Sequence, residues 1–292
     1  MKANLKIDSH TDVYGVFGNP IRHSMSPIML NRAFAEMAIP AIYTAFEVKA
    51  EQLQDAIQGV KALNIKGINV TIPHKVDIMR YLDELDDHAL RIGAVNTVVH
   101  HDGKLIGYNT DGIGYTRSLK EETGCTLQGK RVLMIGAGGA SRGIAYALAQ
   151  EGLDRMYVAN RSLDKATQLA ESLRGYTDTK SLGIEQVQAV IPEVDVIVNT
   201  TSVGMYPHTQ EVPIPTEGIN AQHLVSDVIY NPSETRLLQE AKLRGAQIHG
   251  GLGMFIYQGA YAFEYWTHQL APVAAMREVV EQSLQRVLYS KR

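Results

Sequence analysis

The stretch Val132-Leu-Met-Ile-Gly136-Ala137-Gly138-Gly139-Ala140-Ser-Arg-Gly143 constrains the fold more than any other part of this chain. A short apolar run, a glycine-rich turn and a helical pattern over 139–151 form the strand–turn–helix unit that opens a dinucleotide-binding sheet. Gly136 permits the tight turn, and Gly138 lets the backbone approach a pyrophosphate. The helix start then offers free N–H groups and the positive end of its dipole to phosphate. The third position of the glycine pattern is Ser141, still small enough for close helix–strand packing.

Around this unit, short β-branched runs alternate with longer helical patterns, the signature of an α/β protein. At 292 residues the chain is long enough for two domains. The first half reads as strands at 13–18, 41–48, 67–70 and 93–99. Helical patterns occupy 28–38, 50–63, the stretch after Pro73 to Met79, 85–92 and 113–122. Polar, Gly-punctuated residues 123–130 mark a boundary. Beyond it, strands are expected at 132–135, 155–159, 188–191, 195–199, 225–229 and 247–248, with helices at 139–151, 162–173 and 234–244. The tail, 252–289, reads as two helices parted near Pro272. The expected division is therefore 1–123 as a first α/β domain and 124–250 as a doubly wound, Rossmann-type domain. Helices in 251–292 are expected to pack back on the first.

The end of the second strand selects the nucleotide. A site for the unphosphorylated dinucleotide places Asp or Glu about 20 residues after the glycines, to hold the ribose hydroxyls. Here the position reads Asn160-Arg161-Ser162, followed by Lys165. A carboxylate repels a 2′-phosphate, whereas Arg161 can grip it with a planar donor fork and Ser162 can add a hydrogen bond. NADP is the expected cofactor. A plain helix cap at Ser162 beside a solvated arginine is the structural alternative.

Three polar clusters stand out in the first half. Ser24-Met-Ser26-Pro27 supplies two hydroxyls on a turn. Asn69-Val-Thr71-Ile-Pro73-His74-Lys75 places amide, hydroxyl and ammonium groups at a strand's carboxyl end. Asn96 and Asp111, in Gly93-Ala-Val-Asn96-Thr97 and Gly107-Tyr-Asn-Thr-Asp111-Gly112, add another amide and a carboxylate. Ligands of open α/β sheets gather beyond the strands' carboxyl ends. Hydroxyls and amides that both donate and accept suit a small polyol bearing a carboxylate. Each residue also has a structural reading: turn or cap for Ser24 and Ser26, strand filler for Thr71, a satisfied turn amide for Asn96. Lys75 reads equally as a solvated helix residue, and Asp111 as the cap of the helix near Ile113.

Other function classes are excluded on simple grounds. Twenty-eight Lys and Arg against 31 Asp and Glu give a net charge of −3, too little positive charge to hold nucleic acid by bulk electrostatics. Cys125 stands alone, which rules out an intramolecular disulfide or a Cys-rich zinc site. The ten histidines show no metal-ligand spacing, so no metal is expected. No apolar run reaches membrane-spanning length and the first residues lack a secretion signal, so the expectation is a cytoplasmic protein, monomer or homodimer.

Taken in order, the motifs at 24–27, 69–75, 93–97, 109–112 and 136–140 resemble the shikimate dehydrogenase family. So do Asn160-Arg-Ser162, Asn199-Thr-Thr-Ser-Val-Gly-Met205, Asp227-Val-Ile-Tyr230-Asn-Pro232 and Gly250-Gly-Leu-Gly-Met254 with Gln258. The resemblance spans about residues 13–268 and implies reversible, NADP-dependent reduction of 3-dehydroshikimate to shikimate. By that resemblance Ser24 and Ser26 hold the substrate carboxylate. Asn69, Thr71, Asn96, Asp111 and Gln258 bind its hydroxyls and reacting oxygen, and Tyr230 adds a contact. Lys75 and Asp111 form the catalytic pair. For the cofactor it implies the 136–140 loop, Asn160, Arg161, Ser162 and Lys165, then Thr200, Thr201, Ser202 and Met205, with Gly251 and Met254 near the nicotinamide. The family often has Thr and Arg where this chain has Ser162 and Lys165. Both replacements keep a donor or a charge, although lysine lacks the bidentate fork. Two rivals stay open: a quinate/shikimate dehydrogenase using NAD or NADP, and a non-catalytic dinucleotide sensor on the same fold.

Overall fold

A computed structural model describes residues 7–289. The chain forms two compact units, one ending at Thr110 and resuming at Ile256, the other spanning Asp111–Phe255.

The first unit contains β1 (Asp12–Gly18), α1 (Ser26–Glu36), β2 (Ala41–Glu47), α2 (Leu53–Ala62), β3 (Gly67–Val70), β4 (Glu84–Leu85), α3 (Asp87–Ile92), β5 (Thr97–His101) and β6 (Lys104–Tyr108). Its sheet runs β2-β1-β3-β5-β6-β4, parallel across β2, β1 and β3 and antiparallel at β5 against both β3 and β6. Pro27 sits in the first turn of α1, where its missing N–H costs nothing. Asp86 caps α3 by accepting the His88 N–H at 2.8 Å, and Gly93 ends that helix in the left-handed region. The strand expected from residue 93 therefore starts at Thr97. The next strand, β6, is absent from the sequence reading. Asp102 and Gly103 have φ of 49° and 76°, the two-residue turn that matches strand twist. Phe17, Ile57, Ile68, Val98 and Leu105 lie in the unit's core.

The second unit contains α4 (Asp111–Thr123), β7 (Arg131–Ile135), α5 (Gly139–Ala149), β8 (Arg155–Asn160), α6 (Leu163–Ser172), β9 (Asp178–Gly183), α7 (Val187–Val190), β10 (Val196–Asn199), β11 (Leu224–Asp227), α8 (Arg236–Leu243) and β12 (Gln247–His249). Its all-parallel sheet has the order β12-β11-β10-β7-β8-β9, the doubly wound Rossmann arrangement. Helices on both faces bury β7 and β10 almost completely, so their sequences read as continuous apolar runs. Leu133, Ile135, Ile197, Val225 and Leu237 belong to one core cluster. Residues 188–191, expected as a strand, lie in α7 and the turn after it, because so short an apolar run carries no periodicity to separate the two. The edge strand β9 escapes the sequence reading because only its last two residues, Leu182 and Gly183, are buried.

α4 belongs to this second unit, whereas the sequence reading ended the first domain at 123. A Cβ at Gly112 would collide with the carbonyl of Gly143, so the α4 and α5 backbones touch. Tyr115 in α4 also donates a hydrogen bond to Ser226 in β11 at 2.9 Å. The chain closes with α9 (Leu252–Thr267), whose residues from Ile256 count with the first unit, and α10 (Val273–Tyr289). There α10 packs on α1, and the α9 residue Trp266 donates its indole N–H to the Val98 carbonyl at 3.0 Å. Among the described residues, no helix is long and apolar enough to cross a membrane.

Candidate active site

In the second unit the glycine turn is built from backbone. Gly136 has φ +113°, and a Cβ there would sit 2.6 Å from Thr200 Oγ1, so only glycine fits. The hydroxyls below the turn are ordered by their donors. The Gly138 N–H donates to Ser141 Oγ at 3.0 Å, Ser141 lies 2.7 Å from Thr200 Oγ1, and Thr200 donates to the Ile135 carbonyl at 2.7 Å. Because the Thr200 proton is spent on Ile135, the Ser141 hydroxyl must be the donor to Thr200. Ser141 thus does more than pack closely: it shapes the turn.

A cleft of about 520 Å³ is lined by Ala137, Gly138, Asn160, Arg161, Ser162 and Lys165. The residues singled out at the end of β8 therefore share one cavity with Ala137 and Gly138 of the glycine turn. Asn160 is fixed by donating to the Ser162 carbonyl at 3.0 Å. Ser162 occupies the N-cap position of α6 but makes no side-chain cap bond, so the simple capping reading does not account for its hydroxyl. Arg161, Ser162 and Lys165 are exposed at the cleft. Gly138 is exposed as well, and nothing would meet a Cβ there within 4 Å, which leaves open space over the turn. An open backbone turn at a helix start, with a guanidinium, an ammonium and a hydroxyl along one side, fits a dinucleotide carrying an extra phosphate.

Behind the turn lies a second polar lattice. Asp227, at the end of β11, is fully buried, and burial pushes its carboxyl up to about 6 despite three donors. Those donors are Ile229 N–H at 3.0 Å, Asn199 Nδ2 at 3.1 Å and Thr235 Oγ1 at 2.8 Å. Asn199 in turn accepts from the Thr201 N–H at 3.0 Å and from its hydroxyl at 2.7 Å. The Tyr230 ring stacks on Phe255, with centroids 4.3 Å apart. The Gly251 N–H bonds the Ile229 carbonyl at 3.2 Å, and Met254 is buried in the first turn of α9. Ser202 and Met205 are exposed on the loop after β10.

In the first unit the expected polar residues meet at the carboxyl ends of β1 and β3 and, because β5 runs antiparallel to β3, at the amino end of β5. Asn69 is buried, accepts the Tyr43 hydroxyl at 2.7 Å, and donates to the Asn96 carbonyl at 3.2 Å and Thr97 Oγ1 at 3.1 Å. Asn96 accepts from Thr97 at 3.0 Å and from the Thr110 N–H at 2.8 Å, and Thr110 donates to the Gln258 carbonyl at 3.0 Å. Both amides thus help frame the site. Met25, not Ser26, is the N-cap of α1, while Ser24 Oγ accepts the Ser26 N–H at 3.2 Å. Ser26 hydrogen-bonds Tyr43, whose phenol burial holds well above its usual pKa. Thr71 and Lys75 are half-buried on the turn after β3, where the Lys75 carbonyl accepts the Val95 N–H at 2.7 Å. The same turn is pinned by His74, nearly fully buried, whose Nε2 donates to the Val48 carbonyl at 2.7 Å.

Asp111 is buried as the first residue of α4, in the second unit, while Lys75 lies in the first. The sequence reading missed Tyr43, since an aromatic in a strand is unremarkable. It also missed the structural roles of Thr97, Thr110, Asn199 and Asp227, although each stood within a quoted motif. For Thr97 and Thr110, hydroxyls flanking the apolar runs of two strands were the available signal. Among the described residues, no cluster of His, Cys, Asp and Glu is arranged to hold a metal.

The doubly wound unit, with phosphate-directed groups at its glycine turn, defines a dinucleotide-dependent α/β protein. Comparison with known proteins narrows this. Residues 16–98 match the description "Shikimate dehydrogenase substrate binding domain", 118–212 "Shikimate / quinate 5-dehydrogenase", and 251–281 "Shikimate 5'-dehydrogenase C-terminal domain". A relative in Geobacillus kaustophilus, named shikimate dehydrogenase (NADP(+)), is 49% identical over 94% of this chain and 99% of its own length. A crystal structure of a shikimate dehydrogenase in complex with NADP+ superposes with a TM-score of 0.89 at 43% identity, covering 96% of this chain and 98% of that one. The enzyme from Listeria monocytogenes, in complex with shikimate and NAD, gives 0.87 at 40%, covering 94% and 98%. The chain belongs to the shikimate dehydrogenase family.

Proposed function

We propose that this chain catalyses the reversible, NADP-dependent reduction of 3-dehydroshikimate to shikimate, an oxidoreductase step in aromatic biosynthesis. The observation that carries this reading is the meeting, in one cleft, of Gly138 with Asn160, Arg161, Ser162 and Lys165, in a chain 49% identical to an NADP-dependent shikimate dehydrogenase. The turn at 136–140 would receive the pyrophosphate, and Arg161, Ser162 and Lys165 the 2′-phosphate. Thr200, Thr201, Ser202, Met205, Gly251 and Met254 would border the nicotinamide half. When bound, the cofactor supplies or accepts the hydride.

The chain's own residues have to orient the substrate and manage one proton. Ser24 and Ser26 hold the carboxylate, and Asn69, Thr71, Asn96, Tyr230 and Gln258 sort the hydroxyls. Reduction builds negative charge on the carbonyl oxygen. A lysine ammonium can stabilise that charge and then protonate it. Lys75 takes that role, with Asp111 orienting the same oxygen. In the oxidative direction the Lys75 amine receives the hydroxyl proton.

Initial rates with shikimate or quinate, each paired with NADP+ or NAD+, test the reading. Shikimate with NADP+ should give the highest kcat/KM. Preference for quinate or NAD+ would favour the broader dehydrogenase, and no turnover with any pair would leave a dinucleotide sensor.

A further inference from the structure

Asp227 touches neither the cleft nor solvent, yet it is the end point of a one-way chain of donors. Asn199, Asp227 and Thr235 are essentially inaccessible, and their side chains are taken up by bonds to one another and to their own loops. The Asp227 Oδ2 atom accepts from Asn199 Nδ2 and from the Thr235 hydroxyl, while Oδ1 accepts the Ile229 N–H. Asn199 Nδ2 also reaches the Val203 carbonyl at 3.3 Å, and its Oδ1 holds both Thr201 donors. Thr201 Oγ1 then accepts the Val203 N–H at 3.2 Å. The loop that leaves β10 is thereby folded around Asn199, and Asn199 is oriented by Asp227.

That loop lies where the ligand must pass. β7 pairs with β8 on one side and β10 on the other, so the strand order turns back between β7 and β10. Ligands of such sheets cross that switch point. With the Arg161 group at the end of β8, the opposite half of a dinucleotide runs past the end of β10. Thr200, next to Asn199, is bonded through Ser141 to the glycine turn itself.

We propose that Asp227 is a positioning residue for the redox half of the dinucleotide. It sets the 199–206 loop through Asn199 and the Tyr230 loop through Ile229 and Thr235. The inference rests on reading the cleft as an NADP site. It makes a sharp demand on an isosteric change. In Asp227→Asn, the new NH2 must face either the Ile229 N–H or the donors of Asn199 and Thr235, so one donor–donor contact is unavoidable. Reversing both partners, Asn199→Asp with Asp227→Asn, restores a donor–acceptor pair between the two positions.

The test measures affinity for NADP+ and for 2′,5′-ADP, a probe holding only the adenosine and phosphate half, in the wild type, Asp227→Asn and the double variant, together with kcat for shikimate oxidation. The expected result is unchanged 2′,5′-ADP binding in Asp227→Asn with a kcat lowered about 10- to 100-fold, the scale of a disrupted charged hydrogen bond. The affinity that NADP+ gains over 2′,5′-ADP should shrink, and the double variant should recover part of both losses. Equal loss of both ligands, or unchanged kcat, overturns the proposal. Should Asp227→Asn not fold, Thr235→Val, which removes one donor and no charge, must shift the same ratio in the same direction, and an unshifted ratio overturns the proposal. A wild type that binds neither probe overturns the cofactor reading instead.

Discussion

The glycine turn of the second unit and the strand ends of the first hold their polar groups in opposite ways. At the glycine turn of the second unit, the cleft is lined by main chain and exposed side chains: Gly138, Arg161, Ser162 and Lys165. At the strand ends of the first unit, Asn69, Asn96, Thr97 and Thr110 are buried and bonded to one another. A cofactor that is the same in every turnover can be held by charge and by the shape of the main chain. A small polyol must be told apart from close analogues, which requires amides and hydroxyls locked in one orientation. Substitutions should therefore fail differently in the two regions.

The largest effect is expected at Lys75. Lys75→Ala should lower kcat by at least about 10²-fold, the low end of general-acid contributions, with 2′,5′-ADP binding unchanged. Steady-state rates beside a binding titration check this, and a near-normal kcat removes Lys75 from proton transfer. Next is Arg161→Ala. Loss of a charged phosphate contact should reduce kcat/KM for NADP+ about 10- to 100-fold while leaving that for NAD+ nearly intact. An equal loss with both cofactors would mean that Arg161 supports the fold and does not read the 2′-phosphate.

A smaller effect sharpens the contrast from the first unit. Tyr43→Phe removes the phenol that donates to Asn69 and bonds Ser26. It should cost about 1–2 kcal/mol of stability, the scale of a buried acceptor left without its donor. It should also raise KM for shikimate and leave KM for NADP+ unchanged. Denaturant unfolding with a two-substrate kinetic grid decides it.

The second unit should also lose stability in acid. His249 lies between Ser118 and Ser226, 2.8 Å from each hydroxyl, and burial holds its imidazole down at about 4. Glu122 is 3.7 Å from Nε2, but as a partly exposed carboxylate it is screened and does not offset burial. An unfolded histidine titrates near 6.5, so the stability contributed by the neutral ring is complete above that pH and is lost as pH falls towards 4. At pH 5 the loss is about 2 kcal/mol. Asp227 works the other way: its carboxyl, pushed up to about 6, returns about 1 kcal/mol over the same interval. His249→Gln should therefore lose less stability than the wild type between pH 7 and pH 5, and parallel losses would contradict the assignment.

What was legible in the sequence follows the same division. The glycine turn and the Asn160-Arg161-Ser162 group announce themselves because their chemistry is local: neighbouring residues, one strand end, one helix start. The doubly wound order was legible for a related reason, since strands buried on both faces, such as β7 and β10, read as unbroken apolar runs. That α4 groups with the second unit was not legible, because its partners, Gly143 and Ser226, are distant in sequence. β6 could have been found from Asp102-Gly103, whereas β9 had little apolar signal. The Asn199–Asp227–Thr235 lattice was invisible for a different reason. Three polar residues spread over 37 positions gain meaning only when β10 and β11 lie side by side.

The most direct test of the account is the ratio of kcat/KM for NADP+ to that for NAD+, measured with shikimate in the wild type and in Arg161→Ala. The ratio should be well above one and fall towards one in the variant, with kcat at saturating cofactor unchanged. A wild-type ratio at or below one, or no turnover of shikimate with either cofactor, would contradict it.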